Sequence, residues 1–358
     1  MTIKEIARIA GVSTGTVDRV IHNRGKVDPQ KKIVIEKIIR ECGYTPNVYA
    51  QNLKRVKDFK VGYLTPLLSS EDGYWNLVYK GVRHAHEDLG NPNFRICVYE
   101  YDRFSNGSFL NAGTKMVNDG ILACVMIAKP QSEAKKLIQD NPSLKYVLLD
   151  SEVEGANPIS TIGQDAIMGG RLAGRILCLL SKAPKCFLTF SFRTSQISST
   201  RLIGFMRYCQ ERNINVMATN IDQLSDIQKV VKKAMEGENK IDGIFVPFFG
   251  GFIVANELNK LVLCPDIPIV AYDLLSSNRK ALINGDISCL LSQRPIYQGY
   301  ASIWQIYNSI VLGLNVEKKV EVQVDVLFKE NLPLDYLDEN TRTDSFGLPQ
   351  KTELLWAF

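Results

Sequence analysis

Basic side chains are the groups whose placement in this chain most plainly implies chemistry. Of the 43 Lys and Arg, 13 fall in residues 1–60, against 6 of the 38 Asp and Glu. The remaining residues hold 30 basic and 32 acidic side chains. A basic head on a near-neutral body points to a polyanionic partner at one end and a different task at the other. Groups suited to catalysis are sparse. Of the three histidines, His22 lies in the basic head, and His84 and His86, two apart, point to different sides of a helix and make no metal pair. The eight cysteines (Cys42, Cys97, Cys124, Cys178, Cys186, Cys209, Cys264, Cys289) lie far apart with no CxxC, mostly in apolar segments. That spacing suits buried, reduced thiols better than disulfides or zinc. There is no GxGxxG, no GxSxG and no P-loop, and GGRLAG at 169–174 lacks the glycine spacing of a phosphate cradle and starts a helix. The expectation is a binding protein, with no enzyme activity, no cofactor and no metal.

The head must be positioned by short helices. Thr2 and Glu5 form a capping box, and Ile3, Ile6, Ala7 and Ala10 share one face. Gly11 breaks that helix. Ser13 caps a second, with Val17, Val20 and Ile21 as its apolar stripe. Asn23 to Val27 is a polar loop. Asp28 caps a third helix, Pro29 opens it, Ile35, Ile38, Ile39 and Cys42 supply its stripe, and Gly43 ends it. Two helices around an Ala-Gly-Val-Ser turn, braced by a third, predict a helix-turn-helix over residues 1–45. The localised charge favours DNA binding over a merely structural helical subdomain. Residues 46–58 lack a sizeable apolar face and read as a linker.

From Lys60 onward, apolar strand-like runs alternate with amphipathic helical stretches. The strands are expected at 61–64, 95–101, 121–128, 146–150, 186–190, 244–246, 267–273 and 288–291. The helices are expected near 75–89, 132–140, 167–181, 199–212, 227–236, 252–263 and 295–312. This alternation predicts parallel sheets covered on both faces. The length is too great for one such sheet, so two α/β lobes are expected, lobe 1 from about 60–158 plus 288–320 and lobe 2 from about 159–287 plus the C-terminal part. The longest apolar run, Gly120 to Ala128, is closed by Lys129 and falls well short of the roughly 20 residues a membrane helix needs. MTIKEIARIAG has no apolar core with a cleavage site, so no signal peptide and a cytoplasmic location are expected. Asp338 to Phe358 is polar and ends LLWAF, a tail packed on the body or a contact surface.

The segment TIKEIARIAGVSTGTVDRVIHNRGKV, followed by YTPNVYAQNLK, resembles the head and hinge of the lactose repressor family of bacterial transcription regulators. The likeness is dense over residues 2–56, with head and hinge motifs in the family's order and spacing. The rest of the chain resembles, in length and βα order, that family's effector domain, which is periplasmic-binding-protein-like. The resemblance implies that the second helix lies in the major groove. Thr14 and Gly15 would then face base edges, with Arg19 one turn on at a guanine or a phosphate. Ser13, Thr16 and Asn23 would meet phosphates. Asp18 departs from the family's small polar residue and repels the DNA backbone unless it accepts from cytosine or pairs with Arg19 or His22. In the hinge, Asn47, Ala50, Gln51 and Leu53 match the family pattern, in which a hinge helix forms on DNA and a leucine wedges into the minor groove. The alternative for Leu53 is packing on the body.

In the body, the resemblance implies a cleft that holds sugars between stacking aromatics and hydrogen-bonding groups. Tyr74 and Trp75 open a helix after the first strand. Asp150 and Asp273 end strands, and Gln293 sits at the lobe crossover. Arg201, in RLIGF, matches the family's effector-gripping arginine. Strand ends at the carboxyl edge are where open α/β sheets bind ligands; a structural cap or salt bridge is the alternative for each residue. After the strand at 244–246 the family's Asn-Asp gives way to Pro247, Phe248, Phe249, Gly250 and Gly251, and the two phenylalanines, Phe248 and Phe249, are expected to make the pocket more apolar or narrower.

The expected fold is therefore α/β, a small all-α helix-turn-helix head, a hinge at 46–58, and two doubly wound lobes of the periplasmic-binding-protein type over 59–358. The expected function is sequence-specific transcription regulation by a homodimer on double-stranded operator DNA. A small sugar-like effector bound between the lobes would modulate it, with no membrane partner. The rival readings are a periplasmic-type solute receptor with no DNA role, and a doubly wound enzyme. The basic head speaks against the first and the absent motifs against the second.

Overall fold

Three helices build the head: α1 (Ile3–Ile9), α2 (Thr14–Ile21) and α3 (Pro29–Glu41). The computed structural model describes residues 3–21, 25, 27–41, 59–68, 73–192, 196–236, 240–260 and 267–332. The apolar stripes read from the sequence meet in one small core of Ile6, Ala7, Val17, Val20 and Ile35. Gly11 turns the chain between α1 and α2 at a φ of 63°, in the left-handed region that glycine occupies without steric cost. Ser13 caps α2, its Oγ accepting from the Thr16 backbone N–H at 3.2 Å. Asp28 caps α3, its Oδ1 accepting from the Gln30 and Lys31 N–H groups at 3.0 and 3.1 Å. These caps satisfy backbone donors that helices this short leave unpaired. Thr2, Asn23, Cys42 and the hinge at 46–58 lie outside the described residues.

Apart from Phe59, Phe94 and Arg95 at strand starts, both sheets of the body lie in one compact unit, distinct from the unit that contains the head. The first sheet contains β1 (Phe59–Pro66), β2 (Phe94–Tyr101), β3 (Ala123–Met126), β4 (Lys145–Leu149), β5 (Ser160–Gly163) and β11 (Lys319–Glu321), in the order β11-β5-β4-β3-β1-β2. The second contains β6 (Cys186–Phe192), β7 (Asn215–Ile221), β8 (Gly243–Val246), β9 (Ile269–Tyr272), β10 (Cys289–Ser292) and β12 (Asp325–Leu327), in the order β12-β10-β9-β8-β6-β7. β12 runs antiparallel to β10, whereas β6 to β10 pair parallel. The helices are α4 (Tyr74–Leu89), α5 (Ser108–Asn118), α6 (Gln131–Asp140), α7 (Ala166–Leu180), α8 (Gln196–Gln210), α9 (Asp226–Glu236), α10 (Gly251–Leu258), α11 (Ser276–Asn284) and α12 (Pro295–Ile306).

Strand alternation sends side chains to both faces of each sheet. In the second lobe, Ile244, Val246, Ile269 and Ala271 pack with Ile227, Val254 and Leu282 from α9, α10 and α11. Their neighbours Phe245, Val270 and Tyr272 pack on the other face with Ala173, Leu177, Phe205 and Cys209 from α7 and α8. Two-sided burial explains why these strands read as unbroken apolar runs. α7 and α8 approach until a Cβ on Gly170 would lie 1.9 Å from the Arg201 carbonyl oxygen, so only glycine fits there.

The expected lobe boundaries shift. Residues 288–292 were expected in lobe 1, but β10 pairs with β9, Leu290 opposite Ala271, in the second sheet. Residues 160–163 fall in the range expected for lobe 2, but they form β5, which pairs with β4 in the first sheet. The chain therefore crosses between lobes after Gly163, after Ser292 and between Glu321 and Asp325. The elements β5, β7, β11, β12 and α5 were not expected. The predicted helix at 252–263 ends at Leu258, and that at 295–312 passes after Ile306 into a π turn over Tyr307–Val311. Six cysteines are described, all free, and four of them are buried: Cys124, Cys186, Cys209 and Cys289. Burial pushes the Cys209 and Cys289 thiols up to about 12, which makes them inert.

Candidate functional site

In the head, the expected reading surface is solvent-facing. Val17 and Val20 are buried on the inner side of α2, while Ser13, Thr14, Gly15 and Arg19 are exposed and Thr16 is half-buried. The Ser13 and Thr16 hydroxyls bond each other at 2.9 Å, which fixes the start of the helix. Thr14 and Arg19 are exposed and, among the described residues, lie outside the head core. Asn23, Asn47, Ala50, Gln51 and Leu53 lie outside the described residues.

In the body, six of the seven expected residues are gathered at the carboxyl ends of the two sheets. On the first lobe, Tyr74 and Trp75 open α4 with rings edge to face, centroids 4.9 Å apart. Asp150 follows β4 directly, and the Lys129 ammonium, beyond the end of β3, reaches its Oδ2 at 2.9 Å. That ammonium also lies 5.1 Å from the Trp75 ring centroid, a cation–π contact. On the second lobe, Arg201 rises from α8 and donates from its Nη1 to the Pro247 carbonyl at 2.8 Å. Its guanidinium stacks on Tyr272, 3.6 Å from the ring centroid. Asp273 follows β9 and accepts from Gln293 Nε2 at 2.6 Å. Gln298 Nε2 in turn donates to the Gln293 carbonyl at 2.8 Å and reaches the Tyr74 hydroxyl at 3.5 Å, linking α12 to α4.

The two half-sites face each other. Tyr74, Asp273, Leu274, Ser292 and Pro295 line one narrow gap. Burial raises the Tyr74 phenol well above its ordinary value, and the carboxylates of Asp150 and Asp273 push it further, against the lowering pull of Arg201. Tyr74 therefore stays a neutral hydroxyl beside charges from both lobes. Burial likewise pushes Tyr272 up to about 12, with Arg201 opposing.

Burial separates this cluster from ordinary surface polarity. Arg201 is 3% exposed, Gln293 4%, Asp150 7% and Asp273 9%. Charged groups are seldom buried this deeply unless paired, and isolated they cost a great deal. The backbone is unusual at the same places: Asp150 (φ 48°), Asp273 (φ 72°) and Arg294 (φ 48°) are left-handed without being glycine. Such residues collect where surrounding structure overrides local preference, most often at ligand sites. Trp75 Nε1 and Gln293 Oε1 are buried with no partner among the described residues, so a donor and an acceptor stand available.

Phe248 is the exception. It belongs to the apolar core of the second lobe, and a Cβ at Gly250 would touch its ring at 2.7 Å. The turn after β8 thus offers the Pro247 carbonyl to Arg201 and directs the Phe248 ring inward. Three cluster members were not singled out from sequence. Lys129 was visible only as the charge that closes the apolar run of β3. Tyr272 read as core because it lies within β9, and Gln298 lies five residues after Gln293 inside an apolar helix. Among the described residues, no group of three or more His, Cys, Asp or Glu could hold a metal ion. What the cluster can do is grip: two cations, two carboxylates, a neutral phenol and aromatic faces.

Residues 61–313 match the periplasmic binding protein domain family, and residues 2–47 match the bacterial regulatory proteins of the lacI family. A ribose operon repressor of Lactococcus lactis subsp. lactis is 25% identical over 343 residues, covering 92% of this chain and 98% of that protein. Among solved structures, a LacI transcriptional regulator from Bacteroides fragilis superposes with a TM-score of 0.70 at 24% identity, over 79% of this chain and 100% of its own. A solute-binding protein from Agrobacterium vitis bound to α-D-tagatopyranose gives a TM-score of 0.67 at 19% identity, over 76% of this chain and 96% of its own. No helix among the described residues is long and apolar enough to cross a membrane. A helix-turn-helix head followed by two α/β lobes, with a buried polar cluster at their facing edges, is the domain plan of the lacI family of bacterial regulatory proteins, and this chain belongs to it.

Proposed function

We propose that the chain is a DNA-binding transcription regulator whose operator affinity is set by a neutral sugar or sugar derivative bound in the cleft. The carrying observation is the buried cluster of Tyr74, Trp75, Asp150, Arg201, Asp273 and Gln293, with half-buried Lys129 beside it, contributed by both lobes. Its two cations balance its two carboxylates, so a neutral ligand adds no uncompensated charge to a buried site. Carboxylates accept from hydroxyls, Lys129 and Arg201 donate to them, and Trp75 offers a stacking face. A ligand touching both lobes favours the closed arrangement by its differential contacts, and only that difference can shift the protein between states.

At the other end, Thr14 reads base edges from the start of α2, Gly15 faces them without a side chain to read with, Arg19 one turn on meets a guanine or a phosphate, and Ser13, Thr16 and Asn23 meet phosphates. Asn47, Ala50, Gln51 and Leu53 form the hinge contacts. The protein acts as a cytoplasmic homodimer on a pseudo-palindromic operator, by binding and not by catalysis. The matched helix-turn-helix segment favours this over a solute receptor with no DNA role.

A thermal-shift titration of the whole chain with D-ribose and D-tagatose, followed by DNA binding with and without each sugar, tests the proposal. Binding to the folded state raises the melting temperature progressively with ligand concentration. The expected result is such a rise with at least one sugar and a change in operator affinity with the same sugar. Unchanged melting with both sugars would overturn the sugar reading of the cleft.

A further inference from the structure

Asp273 sits in a conformation its residue type rarely adopts, at φ 72°, yet its carboxylate is where the second lobe meets both Gln293 and Tyr74. Something must hold the backbone there, because a non-glycine residue leaves the left-handed region unless surrounding contacts keep it. The candidate is Asn278, which lies in the first turn of α11 and is fully buried. Its Nδ2 donates to the Tyr272 carbonyl at 2.9 Å and to the Asp273 carbonyl at 2.9 Å. Its Oδ1 accepts from the Phe252 backbone N–H at 2.8 Å. One carboxamide thus uses both of its donor hydrogens and its carbonyl oxygen on three backbone groups of two loops that end at the cleft.

We propose that Asn278 is a positioning residue for the ligand site. It holds Tyr272 and Asp273 together, and so fixes both the aromatic ring beneath Arg201 and the carboxylate that faces the other lobe. The same contact gives a reason for the glycine pair after Phe249. A Cβ on Gly251 would lie 2.5 Å from the Ala271 Cβ and 3.2 Å from Asn278 Oδ1. Glycine at 251 lets the turn after β8 come close enough for Phe252 to reach Asn278. Asn278 itself makes no ligand contact in this account; it acts through Tyr272 and Asp273. The inference rests on the reading of the cleft as a sugar site, and its test includes an arm that needs no sugar.

The first arm is nuclear magnetic resonance of the ligand-free protein, observing the Gln293 side-chain amide, assigned by its loss in Gln293→Leu. In Asn278→Ala that resonance is expected to move toward the position of a solvent-exposed amide, because Asp273 no longer holds it. In Leu282→Ala, a core variant of the same lobe, it is expected to stay in place. The second arm is calorimetric titration with D-ribose and D-tagatose at a temperature where every variant is folded. Asn278→Ala is expected to weaken binding by about tenfold or more, the scale of losing one well-placed charged hydrogen bond. The same substitution made in an Asp273→Ala background is expected to change affinity several-fold less than in the wild-type chain, since only the Tyr272 ring is then left for Asn278 to position. Asn278→Ser, which keeps one donor, is expected to fall between and serves if the alanine variant does not fold. An unmoved Gln293 resonance in the Asn278 variants would overturn the proposal, and so would full additivity of the two substitutions. Failure of the wild-type protein to bind either sugar would overturn the sugar reading while leaving the resonance arm to decide the role of Asn278.

Discussion

The head and the cleft both present polar side chains to a partner, but they support them in opposite ways. In the head, Thr14, Gly15 and Arg19 are exposed, and behind them stand a small core around Ile6, Val17 and Ile35 and the caps at Ser13 and Asp28. In the cleft, Arg201, Asp273, Gln293 and Asp150 are buried, and each is bonded to another protein group or stacked on a ring. A head of this kind reads a long charged surface, where affinity comes from many weak contacts and each side chain needs little preorganisation. A cleft of this kind holds a small molecule with few contacts, so every group must already be in place. Substitutions in the two regions should therefore fail differently. Head surface changes should cost affinity and not stability, whereas cleft changes should cost both.

The largest effect should come where the head has least to spare. Ile35 is fully buried in its small core, and Ile35→Ala should cost about 2–5 kcal/mol, enough to unfold a domain of this size. Circular dichroism should show loss of helix and DNA binding should vanish, with effector binding retained. Loss of effector binding as well would break the contrast by making the two regions one cooperative unit. Next comes Arg201→Ala. It removes charge-assisted bonding worth about 1.5–3 kcal/mol, so effector affinity should fall roughly 10- to 150-fold. The melting temperature should fall too, because Tyr272 and the Pro247 carbonyl lose their partner. Operator binding without effector should be unchanged; its collapse would place Arg201 in the scaffold.

Arg19→Ala should cost about 1–3 kcal/mol of operator affinity if the guanidinium reads a guanine. If it meets a phosphate, binding should weaken evenly across sequences and the salt slope should drop by about 1. In either case the melting temperature should stay put, and a substantial drop would show that Arg19 is structural. The smallest effect sharpens the comparison at its boundary. Ser13 caps α2 and is exposed, and it is proposed to meet a phosphate. Ser13→Ala should cost about 1 kcal/mol of head stability by chemical denaturation, and it should weaken DNA binding by a similar factor.

Much of this contrast was legible in the sequence, and the reasons are local. Gly11, Ser13, Asp28 and Pro29 mark helix ends by chemistry that acts over three residues, so all three head helices were readable. β8, β9 and β10 are apolar on both faces and equally plain. β7 was not: it is an edge strand, NVMATNI, half-exposed and without an apolar run. β5, STIG, is short and polar, and α5 contains Gly113 and spaced small residues. The lobe boundary failed because pairing of β10 with β9 is a long-range fact that no local signal carries. In the cleft, Asp150 and Asp273 were found because they directly follow strands. Lys129 and Tyr272 were missed because their roles depend on which loops come together. Phe248 was misread because a residue after a strand can turn either toward the ligand or into the core, and Gly250 lets it turn inward.

If the head binds DNA and occupancy of the cleft changes that binding, both effects are readable in one titration. The most direct measurement selects duplexes from a random library with the whole chain, then titrates the enriched duplex by fluorescence anisotropy across salt concentrations, with and without the sugar that shifts melting. The expected result is an enriched pseudo-palindromic sequence and an affinity that falls steeply as salt rises. The midpoint is expected to move when the sugar is added. No enriched sequence, or an enriched duplex whose affinity is the same with the cleft filled and empty, would contradict the proposed function.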